Sequence, residues 1–122
     1  MPDEKIDIWK KSGVAFVYNG RTKQNMPMYI QFYDDCLENK TRLNIEKAVN
    51  SLTIPQLIIH GSVDPTVDVS ESVLLNQWSK KSELFIIDQA DHVFGSTHPY
   101  IPNILPSHFQ EVVDKTIDFI IQ

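Results

Sequence analysis

The chain has 122 residues, the usual size of one domain, and its 42% hydrophobic content suits a folded core rather than disorder. A net charge of -5 with scattered Lys and Arg residues argues against a nucleic-acid partner. No apolar run approaches the about 20 residues of a membrane span, so no membrane partner is expected.

The chain opens on MPDEKIDIWKK, which lacks the apolar core of a signal peptide, and a cytoplasmic location is expected. Two β-prone runs follow, Val14–Tyr18 and Met26–Ile30, around an Asn19-Gly20 turn signal, and they predict a hairpin or an irregular excursion. Gln31–Asn39 and Asn44–Leu52 have the spacing of short helices. Cys36, the single cysteine, falls in the first of them as a half-buried packing residue, and no internal disulfide can form. Residues 1–52 are thus expected to form a hairpin and helical, lid-like segment.

From residue 53 the pattern becomes alternating. Gln56–His60 predicts a strand. Asp68–Lys80 predicts a helix, with Asp68 and Glu71 at capping-box spacing and Val69, Val73, Leu74 and Trp78 on one face. Glu83–Asp88 predicts a second strand, and a loop from Gln89 to Pro106 carries three prolines and two of the four histidines. The last helix starts at Ser107, with Gln110 at the capping-box position and a stripe of Phe109, Val112, Val113, Thr116, Ile117 and Ile120. Strand, helix, strand, helix over residues 53–122 implies a right-handed parallel crossover and an α/β fold with helices on both faces of its strands. Two strands make a poor sheet alone, so the unit has the look of an edge of something larger.

The chemistry is expected at the carboxyl ends of those strands. In QLIIHGSVDPTV the strand breaks at Gly61 and presents Asp64 directly before Pro65, a position held out of the α region. Past the second strand comes DQADHVFG, with His92. If the strands are neighbours, a carboxylate and an imidazole leave the same sheet edge and can meet, the acid fixing the ring's tautomer. Each also has a plain structural reading: Asp64-Pro65 as an ordinary turn before a helix, His92 as a loop histidine held by backbone. His60 fits a structural role, and His98 and His108 fit surface or turn positions. The spacing of His92, His98 and His108 matches no zinc motif, so neither metal nor cofactor is expected.

PQLIIHGSVDPTVDV followed by SELFIIDQADHVFG resembles the C-terminal part of an α/β-hydrolase of the dienelactone-hydrolase and prolyl-oligopeptidase-like branch, and NGRTKQNMPM and HPY look like the same branch. The resemblance is firmest over residues 52 to 122. It implies that Asp64 is the triad acid and His92 the triad base, in the superfamily's order of nucleophile, acid, histidine. It also implies hydrolysis of an ester or peptide substrate by acyl transfer, with Met26, Met28, Tyr29, Phe32 and Tyr33 suited either to an acyl pocket in a lid or to plain packing.

The nucleophile breaks the resemblance. The glycines are Gly13, Gly20, Gly61 and Gly95, no two of them four apart, so G-x-S-x-G occurs nowhere. Ser12, Ser51 and Ser62 are the only serines ahead of Asp64, and none follows an apolar strand at an elbow. The expectation is a C-terminal fragment of a serine hydrolase with two triad members and no nucleophile, inactive in isolation. The alternative is a non-catalytic, hydrolase-like remnant serving as an interaction module. With strand edges left open, a homo-oligomer is expected.

Overall fold

A computed structural model of the chain describes residues 3–122. It is a mixed α/β structure with two small sheets, one an antiparallel hairpin and the other a parallel pair. The chain divides into two compact units, Met1–Asn44 and Ile45–Gln122.

The first unit starts with a helix that the sequence patterns do not announce, α1 (Asp3–Ser12). Lys10 and Lys11 in its last turn complement the helix dipole, and Gly13 ends it at φ 72°, a left-handed cap that costs glycine little. Strands β1 (Val14–Asn19) and β2 (Gln24–Tyr29) then pair antiparallel, Val14 opposite Tyr29 and Asn19 opposite Gln24. The second strand begins two residues earlier than the apolar pattern suggests. The turn is held by Asn19, whose Oδ1 accepts the N–H groups of Arg21 and Thr22 at 3.0 and 3.2 Å. Pro27 is tolerated because both strands of a two-stranded sheet are edges. Helix α2 (Gln31–Glu38) follows and carries the half-buried Cys36. Trp9 is the buried anchor: its Nε1–H donates to the Met28 carbonyl at 2.9 Å, and its ring meets Tyr33 with centroids 6.1 Å apart.

The second unit runs α3 (Ile45–Ser51), β3 (Gln56–Gly61), α4 (Val69–Trp78), β4 (Ser82–Ile87) and α5 (Ser107–Ile121). Strands β3 and β4 pair parallel, Gln56 opposite Ser82 and Gly61 opposite Ile87. Helix α4 packs on both strands and α5 on β3. Asp68 caps α4, its carboxylate accepting the Ser70 N–H at 2.9 Å. The buried face of α4 centres on Ser72, whose hydroxyl donates back to the Val69 carbonyl, whereas Val73 and Leu74 are exposed. The capping box expected at Gln110 is not made. Pro106 is the N-cap of α5, no side chain caps it, and the Gln110 amide donates to Asp114 instead. A Lys115–Glu83 ion pair ties α5 to β4, with the lysine 5.3 Å from the centre of the Phe85 ring.

The buried apolar residues of this unit are Ile87 and Ala90, at and beyond the carboxyl end of β4, and Val49 of α3. Elsewhere β3 and β4 are only half-buried, in contrast to strands inside a fully covered parallel sheet. The last turns of α5 and the loop before it leave Ile101, Ile104, Ile117, Ile120 and Ile121 in solvent.

Candidate active site

The parallel register brings the ends of β3 and β4 side by side, and the loops beyond them are stitched together. Ser62 N–H donates to the Ile87 carbonyl at 2.9 Å, and Val63 N–H to the Ala90 carbonyl at 3.1 Å. The Ser62 hydroxyl donates to Asp88 Oδ1 at 3.2 Å and accepts the Gln89 N–H at 2.8 Å. Gly61 makes this closeness possible. A Cβ there would stand 2.2 Å from the Ala90 carbonyl oxygen and 2.8 Å from that of Asp91, so only glycine admits the second loop.

Each loop is shaped by its own aspartate. Asp64 Oδ1 accepts the N–H groups of Thr66 and Val67 at 2.8 and 2.9 Å. Asp91 Oδ1 accepts those of Val93 and Gly95 at 3.1 and 2.9 Å. Between Asp91 and Gly95 sits His92. Gln89 and Phe94, on either side of it, hold left-handed φ values of 56° and 54°, uncommon for residues with a side chain. Phe94 fixes the far end of the loop by an edge-on contact with Phe109 of α5, centroids 6.5 Å apart.

These loops bring Asp64 and His92 together. The carboxylate's second oxygen, Oδ2, lies 2.8 Å from Nδ1 of His92. An ionised carboxylate only accepts, so Nδ1 carries the proton. The Nε2 of His92 makes no hydrogen bond among the described residues, and the ring is 48% exposed while the Asp64 side chain is only 4% exposed. Partial burial raises the Asp64 pKa, but the Val67 N–H, the His92 ring and the Thr66 N–H outweigh it and hold the carboxyl at about 2. The pair borders a cavity of about 230 Å³ lined by Ile59, His60, Gly61, Asp64, Val67, His92 and Phe94.

An imidazole with Nδ1–H on a carboxylate and a free Nε2 lone pair is arranged to take a proton from a group approaching through that cavity. No hydroxyl or thiol of the described residues bonds to Nε2. Ser62 shares the acid's loop, but its hydroxyl is engaged with Asp88 and Gln89. Ser12, Ser51 and Cys36 lie on α1, α3 and α2. Among the described residues no group of three or more His, Cys, Asp or Glu side chains could hold a metal ion, and no helix is long and apolar enough to cross a membrane.

Sequence reasoning isolated Asp64 and His92 but not the parts that hold them. Asp91 carries a visible signal, an aspartate two and four residues ahead of the N–H groups that it caps. The bridging role of Ser62 and the steric need for Gly61 depend on the other loop and have no local signature. Of the residues considered for an acyl pocket, Tyr33 meets the Trp9 ring and the Met28 carbonyl accepts from Trp9, whereas Met26, Tyr29 and Phe32 are exposed.

No protein-family model matches the chain, and no curated protein sequence matches it.

Proposed function

We propose that the chain carries the acid and the base of a serine-hydrolase triad, in the C-terminal portion of an α/β-hydrolase fold, and that the nucleophile comes from outside these 122 residues. One observation carries the reading: the Nδ1–Oδ2 contact of 2.8 Å between His92 and Asp64, at the carboxyl ends of paired parallel strands, with His92 in the wall of a cavity. In the proposed reaction a serine hydroxyl gives its proton to His92 Nε2 as its oxygen attacks an ester or amide carbonyl. The imidazolium, stabilised by Asp64, then protonates the leaving group, and water repeats the sequence to release the acid. The half-covered strands support the view that further strands complete the sheet.

The test is reaction with a fluorophosphonate and with an aryl ester. The 122-residue chain should show neither covalent labelling nor a product burst. A polypeptide that adds a G-x-S-x-G elbow ahead of these residues should show both, and should lose about 10⁶-fold in turnover on His92→Ala. Labelling of Ser62 or Cys36 in the short chain would overturn the assignment of an external nucleophile.

The exposed isoleucines of α5 and its preceding loop favour a second, compatible reading in which the chain associates with copies of itself.

A further inference from the structure

A second histidine stands against the same carboxylate. His60, the penultimate residue of β3, places Nε2 3.0 Å from the Val67 carbonyl oxygen and 3.4 Å from Asp64 Oδ2, and its side chain is only 12% exposed. Both neighbours are acceptors. A lone pair on Nε2 would face two oxygens, so Nε2 must carry the hydrogen, and its short contact directs that hydrogen to Val67.

We propose that His60 is a positioning residue that sets the direction of the Asp64 carboxylate and through it the tautomer of His92; the inference rests on the acid–base reading of that pair and deepens it. Val67 is gripped from two sides. Its N–H donates to Asp64 Oδ1, and its carbonyl accepts from His60. The residue that anchors one carboxylate oxygen is therefore itself anchored to the strand. With Oδ1 saturated by Thr66 and Val67, Oδ2 is left to His92, and the His60 edge beside it supplies a partial positive charge that favours the ionised acid. His60 meets Val67 and Asp64 rather than His92. It acts through Asp64, much as an outer-shell partner orients a ligand.

Nitrogen-15 and proton NMR on the 122-residue chain test this without any turnover. His60 in the wild type should be the Nε2–H tautomer, and His92 the Nδ1–H tautomer with a low-field proton signal. In His60→Phe the amide protons of Thr66 and Val67 should exchange roughly 3- to 10-fold faster, as expected for one lost hydrogen bond. The Nε2–H form of His92 should rise several-fold at the expense of its partner. His60→Gln, whose amide nitrogen reaches about as far as Nε2, should restore both readouts to within about twofold. Should His60→Phe fail to fold, His60→Asn replaces it, because its shorter amide cannot reach the Val67 carbonyl and should show the same losses. An Nδ1–H tautomer at His60, or a folded His60→Phe or His60→Asn with the exchange and the His92 tautomer of the wild type, would overturn the proposal. Hydrolysis indifferent to His92→Ala would instead defeat the acyl-transfer reading and leave these results standing.

Discussion

Asp64 and His92 are 28 positions apart in the chain, yet Oδ2 of the one and Nδ1 of the other stand 2.8 Å apart. The contact is made by two loops that leave neighbouring parallel strands at the same edge, and it divides the carboxylate's work. One oxygen holds the backbone of its own loop and the other holds the imidazole of the next.

That division makes Asp64→Asn informative. The amide can keep an oxygen on the backbone N–H groups, but its nitrogen then faces His92 as a donor and favours the opposite tautomer. The low-field Nδ1–H signal should vanish, and above about pH 4 the melting temperature should fall towards that of the wild type near pH 2, where the acid is neutral as well. In a nucleophile-bearing polypeptide, turnover should fall about 10⁴-fold. Asp64→Ala should lower the melting temperature further, because Thr66 and Val67 lose their acceptor.

Gly61→Ala should destabilise the second unit by about 1–3 kcal/mol, the usual range for overpacking. The added methyl meets backbone carbonyl oxygens of the His92 loop rather than a side chain that can swing away. Denaturant titration should show a lower midpoint, and the His92–Asp64 signal should weaken in the same variant. A substitution without cost would show that the loop does not cross the strand end as described.

Acid should loosen the site in a definite window. The Asp64 carboxyl falls from its ordinary 3.8 to about 2 in the folded chain, and that of Asp68 is lowered as well, chiefly by its bond from Ser70. The folded state therefore binds these protons less readily than the unfolded one. The stability so gained is complete above about pH 4 and is lost as pH falls towards 2. Melts between pH 5 and pH 2 should show this decline, and Asp64→Asn should flatten it.

Self-association should be visible by sedimentation at micromolar concentration as a species heavier than 14.1 kDa that dissociates on dilution. Replacing Ile117 and Ile120, both largely exposed on α5, by Glu should shift the equilibrium towards monomer without unfolding the chain. A concentration-independent 14.1 kDa particle would show that the apolar residues stay in water.

What the sequence displayed and what it hid follow from how local each feature is. β3 and β4 were visible because runs such as Leu57–Ile59 stand between turn signals, and the two loops could be aligned because both follow such runs. Helix α1 was not, since DEKIDIWKKS is mostly polar and is anchored by tertiary contacts, among them those of Trp9 with Met28 and Tyr33. The inward face of α4 was read only in part: Val69 and Trp78 are half-buried, but the fully buried position is the small Ser72 rather than Val73 or Leu74. Gln110 sits three residues after Ser107, but Ser107 is already inside α5, so there was no cap for it to complete. His60 looked structural, and its bond to Val67 agrees with that, but its place beside Asp64 depends on how the loop folds back.

The most direct measurement is pre-steady-state hydrolysis of an aryl ester by the gene product that carries these residues, purified at its native length, as wild type and as His92→Ala. The triad assignment predicts a stoichiometric burst in the wild type, an acyl group on a serine outside residues 1–122, and a loss of about 10⁶-fold in His92→Ala. A burst of equal size in both proteins, or no covalent intermediate in either, would contradict it.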